Sequence, residues 1–77
     1  MRIVLVDDSI LIRERLKQML FELEEIEIVG EEQDEIEAIE CIRKLKPDAV
    51  ILDIRLRKGS GINVMRCLLY TSDAADE

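Results

Sequence analysis

The sequence predicts an open α/β fold built on a parallel sheet, and three observations carry that prediction. Apolar runs bounded by turn residues alternate with stretches of helical periodicity in the order βαβαβ, followed by the beginning of a further helix. Two of the runs, Ile3-Val4-Leu5-Val6 and Ala49-Val50-Ile51-Leu52, are apolar throughout, as strands buried on both faces are. Both stop at carboxylates, the first at Asp7-Asp8 and the second at Asp53. If these runs are neighbouring parallel strands, joined through right-handed crossovers, all three acids emerge at one sheet edge, where open α/β folds bind their ligands.

The elements follow in order. Residues 2–7 form the first strand, and Ser9 offers an N-cap to the helix that follows. Ile12, Leu16, Met19, Leu20 and Leu23 recur at helical spacing, while Arg13, Glu14, Arg15, Lys17 and Gln18 take the other face, giving one packing stripe. Ile26, Ile28 and Gly30 alternate with Glu27, Val29 and Glu31, the pattern of a short strand with one more polar face at the sheet edge. A second helix begins at about Asp34, with Ala38, Ile39, Ile42 and Leu45 as its stripe. Lys44 and Lys46 complement its C-terminal dipole before Pro47 ends it. The third strand covers 48–53. Lys58, Gly59, Ser60 and Gly61 make a loop, after which Ile62, Val64 and Met65 start the third helix.

Three carboxylates brought to one edge repel one another unless a hard cation sits among their oxygens, so Asp7, Asp8 and Asp53 are candidate Mg²⁺ ligands. Bland readings stand beside this one. Asp7 and Asp8 favour a helix N-terminus in any case, and Asp53 suits a solvated strand end. Ser60 reads as a turn residue, the Gly59/Gly61 pair as a tight loop, and Arg55, Arg57 and Lys58 as a solvated loop that would also attract an anionic donor.

Composition narrows the field. Seventy-seven residues make at most one domain, short of the usual ~100–150. With a net charge of −7, one Tyr, one Phe and no Trp, the segment lacks both the basic footprint and the stacking platforms needed for direct contact with DNA. Cys41 and Cys67 form no CxxC, and no His is present to share a zinc site, so they read as free thiols of a reducing, cytoplasmic setting. The first apolar run is too short for a signal peptide or a membrane span. The first βα turn contains no glycine, which disfavours P-loop and dinucleotide-binding readings.

The stretch from Cys67 on, Cys-Leu-Leu-Tyr-Thr-Ser-Asp-Ala-Ala-Asp-Glu, belongs to no pattern set up before it. It resembles the in-frame translation of the adapter that transposon-based sequencing libraries attach to DNA fragments, so 67–77 is expected to be a non-native tail. The competing reading is a genuine helix continuing from Met65. Without these residues, 15 acids face 11 bases and the net charge is −4.

Residues 1 to about 66 resemble the receiver domains of two-component response regulators. Val4-Leu5-Val6-Asp7-Asp8-Ser9, Lys46-Pro47-Asp48, Leu52-Asp53-Ile54-Arg55-Leu56 and Gly59-Ser60-Gly61-Ile62 carry the likeness by their order and spacing. The resemblance implies a flavodoxin-like doubly wound parallel sheet, here incomplete, with strand order 2-1-3. It further implies that Asp53 is the phosphoacceptor and that Asp8 and Asp53 ligate Mg²⁺. Asp7 would assist indirectly, and Arg55 would contribute its backbone carbonyl. A sensor histidine kinase would be the phosphodonor, a homodimer one assembly, and a helix-turn-helix transcriptional regulator the parent protein, with the chemotaxis methylesterases an open alternative.

The chain departs from the family pattern at Arg57, where proline is usual, and at Glu32 and Glu35, where small residues are usual. The hydroxyl residue after a fourth strand and the lysine after a fifth, which would stabilise the phosphoryl group and read it out, have no counterpart here, so no switch is expected. A third strand left as an open edge, and a first helix without a neighbour, predict association or aggregation. Two rival functions remain at this level. One is a Mg²⁺-dependent phosphohydrolase with an aspartyl-phosphate intermediate, whose first-strand acids are usually one residue apart instead of adjacent; the other is a pseudo-receiver acting only in interaction or dimerisation.

Overall fold

In the computed structural model, the backbone is described for residues 1–56 and 58–76 and the side chains through Leu68, so Arg57, singled out above, and Glu77 lie outside the described residues. The elements are β1 (Arg2–Val6), α1 (Ile10–Phe21), β2 (Glu27–Glu32), α2 (Glu35–Leu45), β3 (Ala49–Leu52) and α3 (Gly61–Asp76). All strand pairs are parallel, and the sheet order is β2-β1-β3. This is the incomplete flavodoxin-like sheet that the sequence implied, with β1 at its centre.

The central position explains the first apolar run. Ile3, Val4, Leu5 and Val6 are each no more than 4% exposed, because a strand with partners on both sides and helices above and below has no solvated face. Val4 and Val6 pack with Ala38 and Ile42 of α2, Leu56, and Val64 of α3. Ile3 and Leu5 point to the other face by the strand's two-residue alternation. Glu31, the partner of Leu5 in the ladder, shares that face, and its carboxylate binds Arg13 and Lys17 of α1 at 3.2 and 2.9 Å. Thus α1 covers one face of the sheet while α2 and α3 cover the other.

The predicted N-cap is present, the Ser9 hydroxyl accepting from the Ile12 amide at 3.3 Å, and α2 has a cap of its own in Asp34, whose carboxylate accepts from the Glu37 amide at 3.0 Å. Helix α2 ends where expected, with Lys46 in the left-handed region (φ 48°) ahead of Pro47.

Two expectations need correction. The simple alternation read in β2 put Ile28 and Gly30 on one face. In the ladder, however, Ile28 pairs with Ile3 and Gly30 with Val4, leaving Val29 as an extra residue. This register shift sends Ile28 to the α1 side and Gly30 to the α2 side. The stripe of α1 is also only half used. Leu16 and Leu20 are half-buried, but Ile12 and Met19 are exposed, and the helix stops at Phe21 before it reaches the exposed Leu23. Helix α1 meets the sheet chiefly at β2, where Arg13 and Lys17 hold Glu31.

Helix α3 runs through the segment read above as foreign. Leu68 packs against the core cluster. An apolar residue four positions after Val64 falls on the same helical stripe whatever the origin of the segment.

Candidate metal centre at the strand ends

The site is built by two strand ends held level. Beyond β1, the Asp7 amide donates to the Glu32 carbonyl at 3.0 Å; beyond β3, the Asp53 amide donates to the Val6 carbonyl at 2.8 Å. These bonds extend the parallel ladders by one residue and place both acidic ends at the same edge. One carboxylate oxygen from each of Asp7, Asp8 and Asp53 lies within 4.8 Å of the others. The three acids singled out in the sequence are therefore brought together.

Each is oriented by the backbone around it. Asp7 is only 9% exposed. Its Oδ1 accepts from the Ser9 amide at 2.8 Å, and its carbonyl accepts from the Arg13 guanidinium, which also reaches Glu31. So Ser9 caps α1 while Asp7 closes the turn before it, and the local reading and the metal reading of Asp7 are compatible. Asp8 and Asp53 are half-buried. Asp53 Oδ1 accepts from the Arg55 amide at 3.3 Å. That bond fixes the rotamer and leaves Oδ2 as the other oxygen of the carboxylate.

The donor set fits a hard divalent cation. Among the described residues no cationic side chain forms an ion pair with any of the three carboxylates. Carboxylate oxygens gathered this closely, with amide donors to Asp7 and Asp53 and no ion pair among the described residues, suit Mg²⁺, which prefers oxygen ligands and keeps several waters.

The loop after Asp53 folds back tightly. The Gly61 amide donates to the Ile54 carbonyl at 2.8 Å, and a β-carbon at Gly61 would overlap the Asp53 carbonyl. Ser60 is the turn residue expected of it: its hydroxyl accepts from the Ile62 amide at 3.0 Å, and its backbone forms an antiparallel bridge with Arg55. The side chains of Arg55 and Lys58 are exposed.

The two departures in the second βα connection have different environments. Burial, reinforced by the charge of Glu37 and a hydrogen bond with it, pushes the Glu32 carboxyl above its ordinary value. Glu35 Oε1 accepts from the Ser60 amide at 3.0 Å and from the Asn63 side chain at 3.2 Å. No local pattern signals this contact, because its partners lie 25 and 28 residues away.

Comparison with known proteins agrees with the geometry. The family described as the response regulator receiver domain matches residues 3–75. The chain belongs to this family. The receiver is similar to a protein-glutamate methylesterase/protein-glutamine glutaminase of Lawsonia intracellularis, 40% identical over 68 residues that make up 88% of this chain and 19% of that protein. It is equally similar, at 40% over 67 residues, to the transcriptional regulatory protein BtsR of Escherichia coli K12, with 87% of this chain and 28% of that protein covered. Among solved structures, the response regulator domain of Thermotoga maritima CheB superposes with a TM-score of 0.87 at 31% identity, covering 91% of this chain and 52% of the other. A LuxR-family response regulator from Aurantimonas sp. SI85-9A1 gives 0.86 at 32%, covering 95% and 52%. The receiver thus spans under a third of these curated relatives and about half of the solved chains. The domain is the regulatory part of such proteins.

Proposed function

We propose that Asp53 is the phosphoacceptor of this receiver and that Asp8 and Asp53, with the backbone carbonyl of Arg55, hold Mg²⁺, while Asp7 assists through water or a hydrogen bond. The convergence of the three carboxylates within 4.8 Å carries this reading. The donor is a phosphohistidine of a sensor histidine kinase. A carboxylate oxygen of Asp53 attacks phosphorus, an O–P bond forms as the P–N bond breaks, and the electron pair returns to the imidazole, which takes up a proton. The Arg55 amide holds Oδ1 and orients Oδ2 for attack. Asp7 is kept in place by the Ser9 amide and, through its carbonyl, by Arg13. Mg²⁺, when bound, offsets the repulsion between the acids and the incoming phosphoryl oxygens.

The test is intact-mass measurement after incubation with acetyl phosphate or phosphoramidate and Mg²⁺. A single phosphoryl adduct, lost in Asp53→Asn and absent with a chelator, is expected. An unmodified chain under saturating donor would instead favour the pseudo-receiver, an interaction module that signals without phosphate.

The parent protein is proposed to be a cytoplasmic transcriptional regulator with a helix-turn-helix output. The likeness to a transcriptional regulatory protein and to a LuxR-family regulator supports this. A chemotaxis methylesterase is the second reading, supported by relatives of that name at equal identity. In either case this acidic segment makes no direct DNA contact, a homodimer is one expected assembly, and no helix among the described residues is long and apolar enough to cross a membrane. Residues 67–77 are proposed to be an adapter-derived tail. Adapter-free reads of the source DNA across the Arg66/Cys67 junction test this: a frame continuing differently after Arg66 supports it, and the same eleven residues in the gene overturn it.

A further inference from the structure

The side chain that ties the loop beside Asp53 to the rest of the molecule is Glu35, a residue the catalytic reading does not use. It stands in the first turn of α2, and its amide donates to the Lys58 carbonyl at 3.0 Å. Its carboxylate accepts from the Ser60 amide and from Asn63 in the first turn of α3. The backbone at Gly59 lies so close that a β-carbon there would overlap the Glu35 side chain, and its φ of +96° already demands glycine. Three successive loop residues, Lys58, Gly59 and Ser60, are thus held against one glutamate.

That loop is joined to the candidate site through its backbone. Ser60 bridges to Arg55, the Arg55 amide holds Asp53 Oδ1, and Gly61 rests on the Asp53 carbonyl. A chain of backbone contacts therefore runs from the Glu35 carboxylate to the phosphoacceptor. The same Arg55 backbone is the proposed source of a carbonyl ligand.

We propose that Glu35 is a positioning residue for the phosphoacceptor site, fixing the loop after β3 so that the Arg55 backbone and the Asp53 carboxylate present a preformed metal-binding arrangement. This rests on the reading of Asp53 and its neighbours as the Mg²⁺ site. What the role requires of Glu35 is an acceptor oxygen reaching Ser60 and Asn63, more than its charge. Glutamine keeps that oxygen and alanine does not, which separates geometric positioning from long-range electrostatics.

The experiment is Mn²⁺ titration of the full chain followed by paramagnetic line broadening, with amide hydrogen exchange over residues 53–63 on the same samples. The wild type, Glu35→Ala, Glu35→Gln and Asp53→Asn are compared, with acetyl phosphate modification rates measured in Mg²⁺. Glu35→Ala is expected to speed exchange at Ser60 and weaken Mn²⁺ binding about tenfold, the scale of one lost charge-assisted hydrogen bond. Glu35→Gln is expected to restore affinity to within about threefold of the wild type, as a retained acceptor should. The loss should appear in the metal dependence of phosphorylation, with the rate at saturating metal changed less.

Faster exchange in Glu35→Ala with unchanged Mn²⁺ affinity would overturn the proposal and leave Glu35 a structural brace alone. So would equal losses in the Gln and Ala variants, which would assign the effect to charge. A wild type whose Asp carboxylates bind no Mn²⁺, with Asp53→Asn identical to it, would instead bring down the reading of the site itself. Should Glu35→Ala fail to fold, Asn63→Ala, which removes only one donor to Glu35, is expected to give a smaller loss of affinity in the same direction, and no loss would count against the proposal.

Discussion

A β-carbon at Gly61 would fall on the backbone oxygen of Asp53, and one at Gly30 only on the ends of two side chains. The latter would lie 2.8 Å from Cys41 Sγ and 3.1 Å from Leu45 Cδ1, both side-chain atoms of α2 and neither of them backbone. Gly61→Ala is therefore expected to destabilise the fold by about 1–3 kcal/mol, the usual cost of overpacking. Gly30→Ala should cost less than about 1 kcal/mol, since side chains can yield and the unfolded chain loses freedom. Circular-dichroism melts of the two variants decide this, and equal effects would contradict it. Cys41 gives a second test at this scale. Burial, then the charge of Glu32, pushes its thiol above the ordinary value, so less thiolate is present at neutral pH and alkylation by iodoacetamide should be slower than that of free cysteine. The sign for stability follows: the folded state prefers the protonated thiol, and its contribution is lost as pH rises through the ordinary and then the elevated value. Alkylation as fast as that of an unhindered thiol would remove the buried environment inferred for it.

The helices and strands show what a one-dimensional pattern can and cannot carry. The Ser9 cap and the helix start at Asp34 were legible because such signals are local: each side chain bonds an amide three residues on. Asp34→Ala is expected to cost about 1 kcal/mol, lowering the melting temperature by about 4–8 °C in a domain of this size; an unchanged midpoint would show the cap to be dispensable. The acidic strand ends were legible for a similar reason, since each apolar run stops at its carboxylate and parallel pairing does the rest. The extra residue in β2 was not, because Glu27–Glu32 read alone fits a two-residue period and only the partner strand reveals Val29 as surplus. Nor was the use of Glu35 legible, because a carboxylate at the start of a helix satisfies its local dipole whether or not a distant loop comes to meet it. The α1 stripe was correctly read as amphipathic. How much of it is covered depends on which elements lie beside the helix, and its own residues do not encode that.

The whole molecule leaves apolar surface on the same side as an open edge. In the described structure β3 pairs only with β1, so its other side presents unpaired backbone groups. Ile51, on that strand, is 36% exposed, and Ile12, Met19 and Phe21 of α1 are exposed as well. By the ladder, Ile51 pairs with Leu5 and so shares the α1 face. The open edge and the exposed residues of α1 thus share one face of the sheet, an arrangement that favours strand-to-strand pairing between copies. The net charge of −7 opposes this at low ionic strength, and salt screens it within about 10 Å at 0.1 M. Association is therefore expected to strengthen with both concentration and salt, as measured by sedimentation velocity. Ile51→Lys places a charge on the exposed face of the edge strand without touching the buried core of β1, and should shift the distribution towards monomer while leaving the helical signal intact. If the wild type sediments as a monomer at every concentration and salt level, the open edge is not a pairing surface; if Ile51→Lys associates as strongly as the wild type, contact between copies runs through another face.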